Sequence, residues 1–164
     1  MSEKNRSEKT YPLQAHAGDL PSRLGTQYPA PHDEPCLKRE KTALGDRVGL
    51  SQFGVNLLVL PPQSWSAQRH WHQNEDEFVY ILEGEVVLIT DEGENILRAG
   101  EIAGFPAGAE NGHHLVNKSQ AVAKILEVGT RAQSETASYP DVDLKAEGGD
   151  AGYRFFHKNG EPYE

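Results

Sequence analysis

His70 and His72 flank Trp71, and Glu77 opens the apolar run that follows. Imidazole and carboxylate are the side chains that hold divalent first-row metals. Residues two apart on an extended strand project from one face, so both rings point the same way. A carboxylate arriving from the next extended run then completes three of four ligands. A second group, Gly100, Pro106, Gly108, His113 and Asn117, supplies a complementary half, and its His113 offers the fourth ligand. Three imidazoles and one carboxylate leave positions open to water or substrate on an octahedral ion. The expected cofactor is therefore one divalent transition metal, with Zn, Fe, Mn and Ni all compatible. One ligand carboxylate beside a doubly charged ion leaves a formal charge of about +1, which suits a bidentate anion such as a hydroxy acid, keto acid or enediolate.

The elements that must position these groups read as short strands. Phe53, Val55, Leu57 and Val59 alternate until Pro61-Pro62. Glu77 to Leu82 and Val86 to Thr90 follow, then a turn at Asp91-Glu92-Gly93-Glu94, and then Asn95 to Arg98, Glu101 to Phe105, His113 to Asn117 and Val122 to Val128. Such runs, broken by Gly, Pro, Asn and Asp, define an all-β pattern, and no helical period competes with it between 53 and 130. Residues 48–130 are expected to form one barrel with one core. Residues 1–47 read as an N-terminal arm whose prolines at 12, 21, 29, 31 and 35 exclude long helices, with about the first ten residues disordered. Residues 131–164 read as a loop-rich tail packing on the barrel, with Tyr153 to His157 as an edge strand.

The spacing of the two histidine groups resembles the paired motifs of the cupin superfamily. The first matches His70, His72, Glu77 and Gly84, and the second Gly100, Pro106, Gly108, His113 and Asn117. Two positions depart from the pattern. Ser64 stands where a glycine is usual, and Ala109 to Gly112 separate Gly108 from its histidine by four residues rather than two. The resemblance implies a double-stranded β-helix, a jelly-roll barrel with the metal inside one mouth, in the manner of small bacterial single-domain cupins. It favours His113 over the adjacent His114 as the fourth ligand, because its spacing to Asn117 fits the motif and an even offset keeps both on one face. A bulge would exchange the two, so His114 stays as the alternative. Asn111 and Asn117 are candidates to orient a ligand by hydrogen bonding, although turn geometry explains an asparagine equally well. Glu75 and Asp76 read as a solvated bend, and no residue stands out as a separate general base.

Composition narrows the partners. A formal net charge of -9 argues against nucleic acid and anionic membrane surfaces, which require clustered Lys and Arg. No apolar run approaches the roughly 20 residues of a membrane span, and Met1 to Thr10 carries no signal-like segment, so a cytoplasmic protein is expected. Cys36 is the single cysteine, which excludes an internal disulfide and a cysteine-based zinc knuckle. The leading expectation is a divalent-metal cupin that binds or transforms a small oxygenated or anionic molecule. As an enzyme it would be a metal-dependent dioxygenase, isomerase or hydrolase. The rival readings are a non-catalytic small-molecule or sugar sensor, and a structural dimer in which the arm crosses to a second subunit. A homodimer is expected in either case.

Overall fold

Strands of four to eight residues can each bury only one face, so they are stable here only by stacking their apolar faces across a shared interior. The computed structural model describes residues 10–149 and 152–164. The stretch expected to be disordered lies almost wholly outside the described residues. In chain order the strands are β1 (Arg23–Leu24), β2 (Glu40–Ala43), β3 (Phe53–Leu60), β4 (Trp71–His72), β5 (Glu77–Glu83), β6 (Glu85–Thr90), β7 (Gly93–Arg98), β8 (Ile102–Phe105), β9 (His114–Val116), β10 (Ala123–Thr130), β11 (Glu135–Ser138), β12 (Lys145–Gly149) and β13 (Gly152–Phe156). They form three antiparallel sheets with the orders β1-β2-β3-β10-β5-β8, β13-β12-β11-β4 and β7-β6-β9. The architecture is the expected all-β jelly roll.

Pairing decides which face is buried, and on β3 it is not the face the alternation of Phe53, Val55, Leu57 and Val59 suggests: Leu58 and Leu60 are buried, while Phe53 is exposed and the other three are half-buried. Leu58 lies opposite Ile125 and Ile125 opposite Ile81, a row across three strands with no exposed surface. The residues of opposite parity on β5, Phe78, Tyr80 and Leu82, face outward. From the facing sheet, Val86 and Leu115 close the interior, with Leu88 paired to Leu115. Two glycines carry conformations a side chain would resist. Gly84, between β5 and β6, has φ +77° and sits where a Cβ would meet the Val122 carbonyl at 2.8 Å. Gly108 has φ +75° and donates its N–H to the His72 carbonyl at 2.8 Å, anchoring the segment that carries the ligand pair.

The tail is more regular than its sequence suggests. The expected edge strand is present as β13, residues read as loop supply β11 and β12, and β11 pairs with β4, with Ala137 opposite His72. A second apolar cluster of Ala137, Tyr139, Leu144 and Ala146 forms beneath this sheet, packed by Tyr28 from the arm and Phe155 and Tyr163 from the tail. Among the described residues the barrel core is thus joined by a cluster in the tail.

Asn117 is fully buried and serves the fold. Its amide donates to the carbonyls of Leu60 (2.7 Å) and Ala121 (2.8 Å), and its side-chain oxygen accepts from the Ser119 N–H and hydroxyl. None of these partners is a histidine or Glu77. Asn117→Ala would leave buried carbonyls unpaired, so it is expected to cost about 1–3 kcal/mol in urea unfolding while the folded protein takes up metal as before. Loss of metal uptake without loss of stability would show instead that Asn117 acts on the site.

Candidate metal centre

The N-terminal ends of three strands, β4, β5 and β9, bring four side chains to one point. His72 is held on β4 by β11. His70 and His113 bridge each other through the backbone, His113 N–H to His70 O at 2.8 Å and His70 N–H to His113 O at 3.2 Å. Glu77 begins β5, between Phe105 of β8 and Gly129 of β10. The result is convergence of three ring nitrogens on one carboxylate. Glu77 Oε2 is 2.7 Å from His113 Nε2 and 3.7 Å from His70 Nε2, and Glu77 Oε1 is 3.6 Å from His72 Nε2. The Nε2 atoms of His70 and His72 are themselves 3.1 Å apart. Aromatic rings brace the group on two sides, with Phe105 stacked on His113 at 3.6 Å and Tyr139 on His70 at 5.6 Å.

The outer ring nitrogens explain why the inner ones are available. His70 Nδ1 lies 2.7 Å from Gln68 O, and His113 Nδ1 lies 3.2 Å from Asn111 O. A carbonyl can only accept, so each contact places the proton on Nδ1 and leaves Nε2 as a lone pair. The His70 lone pair faces His72 Nε2 at 3.1 Å beside the Glu77 carboxylate, a setting that suits a cation held between the rings. His113 makes the same point: both its nitrogens face acceptors, which a neutral ring cannot satisfy. The donor set therefore fits a divalent first-row ion.

The local field agrees with this arrangement. Burial drives the His70 pKa down to about 3; the Glu77 charge opposes this, while neighbouring His72 and His113 reinforce it. Burial also works against charge on His72, but Glu77, Glu135 and Glu75 outweigh it and raise its pKa above the ordinary imidazole value. Burial pushes the Glu77 carboxyl up, yet contacts with His113 and His72 and the charges of His70 and His72 hold it well below the usual carboxylate range. Glu77 remains an anion among rings.

The other sequence candidates fall in different places. His114 turns to Ala67 O (Nδ1, 2.9 Å) and sets its ring edge-on to Trp65, away from the cluster. The Asn111 side chain accepts from the Asp91 N–H, and it is the Asn111 backbone carbonyl that meets His113. Ser64 tolerates its place because the left-handed residue there is Gln63, φ 63°. Glu75 is no solvated bend. Its side chain is 16% exposed, and it accepts from the Ala132 N–H and, at 3.0 Å, from the Tyr153 hydroxyl. Glu135, 1% exposed at its side chain, escaped the sequence reading because it sits in an unremarkable Ser-Glu-Thr on a short strand; only strand pairing brings it to the site. The cluster opens on a cavity of about 840 Å³ whose wall includes Glu75, Tyr139, Tyr153 and Phe155.

The cupin domain pattern matches residues 56–129. A crystal structure of a sugar phosphate isomerase of the cupin superfamily from Silicibacter pomeroyi DSS-3 is 42% identical, covers 92% of this chain and 96% of its own, and superposes with a TM-score of 0.88. This chain belongs to the cupin superfamily. A candidate sugar phosphate isomerase from Acidithiobacillus ferrooxidans ATCC 23270 is 25% identical over 77% of this chain and 81% of its own, with a TM-score of 0.69. The polyketide cyclase RemF from Streptomyces resistomycificus, 21% identical over 71% of this chain and 78% of its own at a TM-score of 0.58, shares the fold alone. No curated protein matches the chain.

With the His70 pKa near 3 in the fold and about 6.5 in an unfolded chain, the unfolded state takes up this proton first as pH falls. The stability contribution of a neutral His70 is complete above about 6.5 and is lost towards pH 3. In chelator-treated protein, unfolding free energy should fall more steeply across that window than in His70→Asn. Parallel curves for the two proteins would contradict a buried neutral ring.

Proposed function

We propose that the chain binds one divalent transition metal through His70, His72, Glu77 and His113 and isomerises a small phosphorylated sugar. The observation that carries the reading is the meeting of three Nε2 atoms and one carboxylate at the wall of a large cavity. Its size is within the range of ordinary ligand sites, and the 42% identical Silicibacter protein supports the reaction class.

Aldose–ketose interconversion moves a proton between neighbouring carbons. A bound divalent ion polarises the carbonyl and hydroxyl oxygens and so eases removal of that proton. The protein's share is placement and proton transfer. Phe105 and Tyr139 fix the ligand rings, and the Glu75 carboxylate with its Tyr153 hydroxyl partner stands in the cavity wall, able to accept and return a proton. Arg23 and Arg131 line the same cavity and carry the charge a phosphate requires.

Untagged wild type purified without chelator or nickel resin is expected to hold near-stoichiometric metal by elemental analysis. His70→Ala and His113→Ala should lose it and His114→Ala should keep it. Equal loss from both of the last two would move the fourth ligand away from His113. On a panel of aldose and ketose phosphates the metal-loaded protein should interconvert at least one pair. Thermal stabilisation by a sugar phosphate without turnover would replace the enzyme reading with that of a binding module.

A further inference from the structure

His70 and His113 each hand the Nδ1 proton to the backbone carbonyl two residues earlier. His72 makes no such bond: its Nδ1 is buried without a hydrogen-bond partner on a residue only 9% exposed. Two carboxylates lie within 4.0 Å of it, Glu135 Oε1 at 3.7 Å and Glu75 Oε2 at 3.9 Å.

Glu135 is built for this position. Its Oε1 accepts from the N–H groups of Gln73 (2.7 Å) and Thr136 (2.8 Å), and its Oε2 accepts from Asn74 (2.8 Å). These three N–H donors fix an almost fully buried carboxylate in place. Two of them belong to the residues immediately after His72, so the carboxylate is locked to the strand that carries the ring. Among the described residues, His72 is the only cationic or basic side chain within 4.0 Å of it. These donors take three of its roughly four acceptor positions, which leaves one for the His72 N–H, and a separation of 3.7 Å is closed by a small movement of the His72 ring.

We propose that Glu135, on the strand appended beyond the matched cupin domain, is the positioning carboxylate of the metal centre. It accepts the Nδ1 proton of His72, fixes that ring with Nε2 inward and raises its strength as a ligand. Glu75 lies on the same nitrogen and backs it. The inference rests on the metal-binding reading above. It adds that the C-terminal sheet is a working part of the centre.

The test uses full-length protein and Zn2+ alone. Glu135→Gln is expected to weaken Zn2+ binding roughly 10–100-fold in a chelator competition, and apo unfolding of the variant is measured alongside. Imidazole 15N–1H spectra of Zn2+-loaded wild type should show slowly exchanging Nδ1 protons for His70, His72 and His113, with only the His72 signal moved by Glu135→Gln. A merely structural role would lower apo stability and leave that signal in place. Affinity within twofold of wild type, or an unmoved His72 signal, would overturn the proposal while leaving the metal site intact. Should the variant not fold, the wild-type spectrum decides alone: a His72 carrying its proton on Nε2 refutes the proposal, and a protected Nδ1 proton upholds it. Wild type that takes up no Zn2+ would instead remove the metal-binding reading, and this inference with it.

Discussion

An imidazole can offer an empty Nε2 to a cation only if the proton on its other nitrogen has somewhere to go. Three rings meet at Glu77, and the protein must find three acceptors for three Nδ1 protons in a nearly dry interior. Much of the local architecture answers that requirement. The Gln68 and Asn111 carbonyls serve two rings, and in each case a turn of backbone just before the histidine is bent to do so. The His70–His113 backbone bridge holds those two segments side by side, which brings the rings together. His72 Nδ1 is left without a partner, with Glu135 of the C-terminal sheet 3.7 Å away and Glu75 3.9 Å away.

Segments without regular structure can hold side chains to such tolerances only when clamped. The loop from Pro61 to Trp71 is fixed from both ends of the chain. Arg39, almost fully buried, donates to Gly25 O and Thr26 Oγ1 in the arm and to Ser66 O in the loop, tying one to the other. Arg69, next to His70, forms a two-pronged pair with Asp141 at 2.7 Å on both arms, and reaches Asp91 and the Gly112 carbonyl. That single guanidinium joins the segments bearing His70 and His113 to the tail. Exposed ion pairs contribute little to stability in general; the value of this one is positional, since bidentate geometry restricts rotation as well as distance.

The barrel was legible in the sequence because its information is local: short apolar runs broken by turn residues mark the strands, and the glycines at 84 and 108 mark corners that only a left-handed residue turns easily. Which face is buried was not: the alternation of Phe53, Val55, Leu57 and Val59 points to one face of β3 and pairing buries Leu58 and Leu60 on the other, while the run from Phe78 to Leu82 is apolar throughout. The grouping of His70, His72, Glu77 and His113 was legible for the same reason, as spacing along strands. What was hidden depends on pairing between distant segments. β11 and β12 are four and five residues of Glu, Thr, Ala, Ser, Lys and Gly, with little strand propensity of their own. They are strands because β4 and β13 offer ladders, and because Ala137 and Ala146 are small enough to lie over Tyr139 and Leu144. Glu75 and Glu135 look like surface acids in one dimension; the Ala132 and Gln73 N–H groups that bury them come from elsewhere in the fold. Asn117, which its motif position offered as a candidate to orient a ligand, has its side-chain hydrogen bonds with Leu60 at the end of β3 and with Ser119 and Ala121 in the turn after β9.

The matched cupin domain ends at residue 129, ahead of Glu135, Tyr139 and Tyr153. The barrel therefore supplies the four candidate ligands, and the appended sheet supplies much of their surroundings: the ring stacked on His70, the Glu135 carboxylate beside His72 and part of the cavity wall. Chemistry at a metal depends on that surrounding shell as much as on the donors, which is why a fold shared with a polyketide cyclase says so little about reaction. The likeness to the Silicibacter protein extends over 92% of the chain and that to RemF over 71%, so the former takes in more of the arm and tail beyond the barrel. Similarity that reaches the segments enclosing the ligands bears on function more directly than similarity confined to the strands that carry them.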